Sequence, residues 1–135
     1  MTDTPQTTRR PRVLLVDDHI AILRVTCRML ERLGHDVTVA ERGAQAIEMF
    51  RSKAPPIDLI ILDLGLPDMS GAEVLRAMPA DWAAVPVIIS SGAGANVVDQ
   101  TLTDRRIAGR LDKPYSLQDL RTALEQASRW RAKYS

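Results

Sequence analysis

The chain has 135 residues, 45% apolar and 26% charged, and its 18 basic against 17 acidic side chains leave a formal net charge of +1. That is one globular domain, able to bury about two-thirds of its unfolded surface without help; the single cysteine, Cys27, excludes an intrachain bridge and so a secreted, disulfide-stapled scaffold. Near-neutral charge argues against a dedicated nucleic-acid binder. No apolar run approaches the ~18 residues of a membrane span, and Asp3 and Gln6 stand where a signal peptide needs a hydrophobic stretch, so a reducing, cytoplasmic setting is expected.

Residues 1–11 have only Met1 as a large apolar side chain and read as a mobile tail, with one domain over 12–135 and no output domain in this chain. Val13-Leu14-Leu15-Val16 reads as the first strand. The helix after it, through about Leu33, carries an apolar stripe of Ile22, Thr26, Met29 and Leu33, flanked by Leu23 and Leu30, and Gly34 stands where a C-terminal cap belongs. A second strand is expected over 36–40. A second helix follows from Ala44 to about Lys53, with Ala46, Ile47 and Phe50 inward, and ends at Pro55-Pro56. The third strand, 58–62, is apolar without alternation, as expected where helices cover both faces of a parallel sheet. A turn-rich loop, 65–71, leads to a short helix carrying Val74, Leu75 and Met78. Residues 86–90 read as the fourth strand, 96–103 as a weakly patterned helix and 107–112 as the fifth strand. Ser116 to Asp119 opens the last helix with a capping-box pattern. The pattern is (βα)5, an α/β domain on a parallel five-stranded sheet.

The polar residues that break the apolar pattern fall at the carboxyl ends of strands: Asp17 and Asp18, Asp63, Ser90 and Ser91, and Lys113. In a doubly wound sheet of flavodoxin-like order 2-1-3-4-5, the site lies outside the carboxyl ends at the switch point between strands one and three. Asp17, Asp18 and Asp63 converge there. Three carboxylates so close raise one another's pKa values unless a cation joins them, and hard oxygen donors select Mg2+, with Mn2+ as the alternative. Converting Asp63 to an acyl phosphate would add about one negative charge and oxygens that demand donors, which Ser91 and Lys113 are placed to supply.

The motifs Val16-Asp17-Asp18, Asp63 through Pro67 to Gly71, Pro86 to Ser91-Gly92, and Lys113-Pro114, in this order and spacing, resemble the receiver domain of two-component response regulators, from Arg12 to about Trp130. The resemblance implies a phosphoacceptor signalling domain loaded on Asp63 by a sensor histidine kinase or histidine phosphotransfer protein. It implies Mg2+ bound by Asp18, Asp63 and the backbone carbonyl of Gly65, and through water by Asp17. It also implies Ser91 as the switch hydroxyl, Lys113 against the phosphoryl group, a cis Lys113–Pro114 bond and a downstream protein partner, with neither nucleic acid nor membrane insertion. The family usually has Tyr or Phe where Arg110 stands, and Gly65 and Ala93 lack polar side chains at two positions that flank the attacking water. Arg110 is expected to keep its guanidinium in water at the sheet edge, because burying the charge without a partner costs several kcal/mol. Output is then expected to pass through residues 91–104.

Other readings follow from the same residues. Asp17-Asp18 alone would suit a helix cap. His19 is expected to be a surface or helix-start residue and not a metal ligand, since neighbouring positions on a helix do not share a pocket, and Cys27 a packed side chain. A phosphatase that works through an aspartyl phosphate would need an acid where Gly65 stands. A nucleotide binder would need a phosphate loop where the aspartates stand. A receiver-like interaction module that works without phosphorylation is the alternative, separated by whether Asp63 accepts phosphate.

Overall fold

The computed structural model of the chain describes residues 10–52, 56–92 and 104–134. Five strands, β1 (Arg12–Val16), β2 (Asp36–Ala40), β3 (Leu59–Asp63), β4 (Val87–Ser91) and β5 (Ile107–Asp112), form one sheet in the order β2-β1-β3-β4-β5. All four pairings are parallel. The described helices are α1 (Ile20–Arg32), α2 (Gly43–Ser52), α3 (Gly71–Ala77) and α4 (Leu117–Tyr134). β2 and β5 fall where the sequence predicts them, whereas β3 and β4 are each displaced one residue toward the C-terminus, so that Asp63 and Ser91 are last strand residues. The helix expected over 96–103 lies outside the described residues.

Strand alternation divides the core in two. Val13 and Leu15 of β1, Leu59 and Ile61 of β3, Ile88 and Leu111 pack with Leu23 and Leu30 of α1 and Leu120, Ala123 and Ala127 of α4. Leu14, Val16, Ile60, Leu62 and Val87 face the opposite side, with Ala46 and Phe50 of α2 and Val74 and Leu75 of α3. β3 is buried along its whole length, as its unbroken apolar run requires. On the second side the Phe50 and Trp82 rings meet edge to face, centroids 4.8 Å apart. The expected α1 stripe faces the core and is centred on its flanks: Leu23, Thr26 and Leu30 are buried, while Ile22, Met29 and Leu33 are half-buried. Thr26 has a partner 89 residues away. The Tyr115 hydroxyl lies 2.8 Å from the Thr26 hydroxyl, which gives that buried polar group its hydrogen bond.

Turn chemistry fixes the ends. Gly34, at φ 94°, follows α1 in the left-handed region, and its N–H donates to the Glu31 carbonyl at 3.1 Å. The Arg10 guanidinium hydrogen-bonds the Glu31 carbonyl at 2.9 Å, and the Pro11 carbonyl accepts from the Asp36 N–H; residues 1–9 lie outside the described residues. Ser70 and Glu73 form a reciprocal capping box on α3, and Ser116 and Asp119 do the same at α4. α2 is capped at long range: Asp68, on the loop after β3, accepts from the N–H groups of Gly43 and Ala44 at 2.9 and 3.0 Å. Those bonds hold the Asp68 carboxyl below its ordinary pKa. Asp68→Ala is therefore expected to cost about 1 kcal/mol of stability, the usual loss for a helix cap, measured by urea unfolding.

Candidate functional site

The site is assembled by register. Val16 pairs with Leu62, Asp63 with Ser90, and Ser91 with Asp112, so each of β1, β3, β4 and β5 ends within one residue of its neighbour along the same edge. The period of two along a strand carries Asp17 onward from Val13 and Leu15, Asp63 from Leu59 and Ile61, and Lys113 from Leu111. All three therefore emerge on the α1 and α4 side of the sheet. Two backbone bonds hold this edge together: the Lys113 N–H donates to the Ser91 carbonyl at 2.8 Å, and the Leu64 N–H to the Ser90 carbonyl at 3.0 Å. The Lys113–Pro114 bond is cis.

Asp17 and Asp63 are 1% and 2% exposed. The Lys113 ammonium lies between them, 2.8 Å from Asp17 Oδ2 and 3.2 Å from Asp63 Oδ2. Asp17 Oδ1 accepts from the His19 backbone N–H at 2.9 Å, and Asp63 Oδ1 from the Gly65 N–H at 3.2 Å. Burial pushes both carboxyl pKa values up. For Asp17 the hydrogen bonds from Lys113 and His19 outweigh burial and hold it below its ordinary value. For Asp63 burial prevails over the Gly65 N–H, the neighbouring Asp17 charge adds to it, and the pKa lies above the ordinary value. Lys113 is desolvated too, yet the two carboxylates raise its pKa, so it is a cation at neutral pH.

One donor atom each from Asp17, Asp18, His19 and Asp63 lie within 4.8 Å of one another. Three carboxylates against one ammonium leave two negative charges uncompensated. Among the described residues, Asp18 Oδ1 is a buried oxygen that accepts no hydrogen bond, and Asp63 Oδ2 has the Lys113 ammonium it shares with Asp17 as its ion-pair partner at 3.2 Å. Buried lone pairs left open in this way fit a cation, and carboxylate oxygens fit Mg2+.

The expected residues are thus brought together: Asp17, Asp18, Asp63 and Lys113 by side-chain approach, and Gly65 through its backbone bond to Asp63. Ser91 is buried at the end of β4, one strand from Asp63, and its neighbour Ser90 is buried with its hydroxyl unpartnered. Arg110 is exposed on edge strand β5, its side chain 50% accessible and 3.6 Å from Asp112. Its guanidinium is at the surface, as its charge requires. Of the 91–104 segment, residues 93–103 lie outside the described residues.

His19 stands at the start of α1 with its side chain 56% exposed, as a surface or helix-start residue, and its ring nevertheless approaches the carboxylates. Its backbone is extended, at φ −88° and ψ 102°, and it precedes α1 as N-cap, so the spacing rule for neighbours on a helix does not apply to it. The ring folds back, with Nδ1 2.9 Å from Asp17 Oδ1 and 3.3 Å from Asp18 Oδ1. The signal available in the sequence was the turn itself: an aspartate two residues upstream accepts the His19 N–H and bends the chain toward the cluster.

The sequence matches the family described as "Response regulator receiver domain" over residues 13–125. It is 37% identical over 117 residues to the KDP operon transcriptional regulatory protein KdpE of Escherichia coli, covering 87% of this chain and 51% of that protein. It is 29% identical over 114 residues to the sensor kinase CckA of Brucella abortus, covering 84% of this chain and 12% of that one. Among solved structures it is similar to a response regulator receiver domain protein from Clostridium thermocellum, with a TM-score of 0.79, 26% identity, and coverage of 93% of this chain and 99% of that one. The chain thus spans about half the length of the transcriptional regulator it matches. Among the described residues no helix is long and apolar enough to cross a membrane. A match that covers every strand and all four carboxyl-end motifs places the chain in the receiver domain family of two-component response regulators.

Proposed function

We propose that this chain is a phosphoacceptor module in which Asp63 takes a phosphoryl group from the phosphohistidine of a sensor histidine kinase or histidine phosphotransfer protein, and that the acyl phosphate switches binding of a downstream protein. The observation that carries this reading is Asp63 itself: a buried carboxylate at the end of the central strand, 3.2 Å from an ammonium and beside two further carboxylates. A structural ion pair needs one acid, and this site has three.

In the proposed reaction a carboxylate oxygen of Asp63 attacks phosphorus, the P–N bond of the donor breaks, and its electron pair returns to the donor imidazole, which is then protonated. A bound Mg2+ would neutralise phosphoryl oxygens and hold them in line. Asp18, Asp63 and the Gly65 carbonyl are assigned to hold it directly. Asp17 is assigned a contact through water, because its oxygens already serve Lys113 and His19. After transfer Asp63 carries about one additional negative charge. Lys113, cationic and already in place, meets that charge, and the Ser91 hydroxyl is assigned as a second donor. Gly65 leaves the position two residues past the acceptor without a polar side chain, although a Cβ there would meet nothing nearer than Asp63 Oδ1 at 3.9 Å. Loss of the phosphoryl group to water therefore proceeds without a side chain at that point, and the chain assists only its own modification. Arg110 is assigned no rotamer switch, since its head is already in solvent.

Intact mass spectrometry after incubation with phosphoramidate tests the reading. One phosphoryl increment is expected with Mg2+ and none with a chelator; an increment that forms equally fast under chelation contradicts the metal assignment.

A further inference from the structure

We infer that the hydrogen bond between the Tyr115 and Thr26 hydroxyls is a positioning element of the phosphoacceptor site: it ties the segment that carries Lys113 to α1, and through Lys113 it sets the rate at which Asp63 takes a phosphoryl group. The inference rests on the reading that Asp63 is the acceptor and that Lys113 meets the transferred group. It assigns to that reaction two residues that do not touch the reacting atoms.

Packing alone does not call for this pair. Thr26 is 1% exposed and lies on the face of α1 that buries Leu23 and Leu30, and Tyr115 packs against the same cluster. A valine and a phenylalanine would have nearly the same shapes there without a polar atom. Two hydroxyls in such surroundings are unfavourable unless they meet, because each exchanges water for an apolar neighbourhood. Here they lie 2.8 Å apart across 89 residues of sequence. A hydrogen bond weakens steeply with distance and angle, so it holds the tip of the Tyr115 ring and α1 at one separation, which apolar contact does not.

The bond closes a ring of contacts around Lys113. Asp17 leads into α1, which carries Thr26, and Tyr115 follows Lys113 by two residues. Two contacts complete the ring, Tyr115 to Thr26 at 2.8 Å and Lys113 Nζ to Asp17 Oδ2 at 2.8 Å. The Lys113 N–H holds one end of the segment to the Ser91 carbonyl, and the Ser116–Asp119 cap holds the other to α4. Neither bond reaches α1; the Tyr115 hydroxyl does. A cavity of about 260 Å3, lined by Ile22, Val25 and Met29 of α1 and by Pro114, lies beside the segment, so packing on that side does not replace the bond once it is lost. During transfer the ammonium turns from the carboxylates to the phosphoryl oxygens on a flexible four-carbon stem, and its reach depends on where the backbone of Lys113 is held. A fixed backbone lets the ammonium change partner without the segment drifting, which is preorganisation.

The test uses the whole chain, with phosphoramidate and Mg2+ as probes and intact mass as the readout of rate. Tyr115→Phe removes the bond. Thr26→Val combined with Tyr115→Phe removes both hydroxyls and leaves neither without its partner, so its thermal midpoint is expected near that of the unaltered chain. Thr26→Ser keeps the hydroxyl and loses a buried methyl, so it is expected to be less stable. The rates are expected in the opposite order. The phosphoryl increment should form about tenfold more slowly in Tyr115→Phe and in the combined variant, within the hundredfold that a misplacement of about 1 Å can cost. In Thr26→Ser, where the bond is retained, the rate should stay within about twofold of the original. The sequence has three lysines, so 15N spectra resolve the ammonium nitrogens, and that of Lys113 is expected to shift in Tyr115→Phe and to stay in place in Thr26→Ser. Rates that follow the thermal midpoints, that do not change when the bond is removed, or that fall while the Lys113 nitrogen stays in place overturn the inference and leave Asp63 as acceptor. If the unaltered chain takes no phosphoryl group, the acceptor reading fails and the inference fails with it.

Discussion

Lys113→Ala is expected to lower the unfolding free energy by about 3 kcal/mol at pH 7 in the absence of divalent metal. Removing one member of a buried ion pair costs about 3–5 kcal/mol because the charge left behind is uncompensated. Here two buried carboxylates lose their shared cation, while Asp18, whose side chain is 31% exposed, keeps the cluster open to solvent and places the loss at the lower end. For a domain of this size the midpoint of thermal unfolding should fall by about 10 °C. The pH dependence has a definite sign. Lys113 is raised above its ordinary 10.5, so its stabilisation is complete below that value and is lost as pH rises through the folded one. Asp17 is lowered below 3.8, so its share is present above that value and is lost as pH falls through the folded one. In the variant the carboxylates no longer have a cation and take up protons more readily, so the deficit should shrink on acidification. A deficit independent of pH between 7 and 4.5 would mean that the loss comes from packing and not from charge.

The fold was legible because its strands are short apolar runs separated by helices with one apolar stripe each, and in a doubly wound sheet of order 2-1-3-4-5 the aspartates then meet at the switch point. Ends were less legible. Nothing local separates residues 58–62 from 59–63, and only the register with β1 and β4 shows that Asp63 closes the strand. Partners distant in sequence were invisible: Tyr115 supplies the hydrogen-bond partner of buried Thr26, and Asp68 caps a helix that begins 25 residues earlier. Trp82 sits in a linker with no periodicity, yet it fills the core against Phe50. The approach of the His19 ring to Asp17 follows from the extended backbone before α1, which helical periodicity does not reveal. The exposure of Arg110 was legible from charge, since a guanidinium on an edge strand keeps to solvent, whereas its contact with Asp112 was not.

Asp63→Asn is expected to act in opposite directions on stability and function. The raised pKa of Asp63 means that the folded state disfavours its charged form, through burial first and the Asp17 charge in addition. An amide of the same shape removes that cost, and Lys113 keeps its 2.8 Å contact with Asp17. Without metal at pH 7 the variant should be more stable by about 1 kcal/mol, within the range of single stabilising substitutions and of functional sites that sacrifice stability. The gain should vanish as pH falls through the folded pKa of Asp63, because the unaltered chain then becomes neutral there as well. Mg2+ should reverse the order. At about ten times its dissociation constant a bound ion stabilises by about 1.4 kcal/mol, and the variant, with a ligand oxygen lost, should gain less. Thermal unfolding of both chains with and without Mg2+ reads the crossover. A variant less stable than the original without metal would show that the Lys113–Asp63 contact outweighs the cost of the charge.

The central claim, an acyl phosphate on Asp63, is tested most directly by mapping the phosphoryl group. The chain is treated with phosphoramidate and Mg2+ and digested with an acid protease, and the peptides are analysed before and after hydroxylamine. The account predicts one phosphorylated peptide containing Asp63, complete loss of the group to hydroxylamine, and no labelled peptide from Asp63→Asn. A phosphoryl group that survives hydroxylamine, or that maps to a peptide without Asp63, would contradict it.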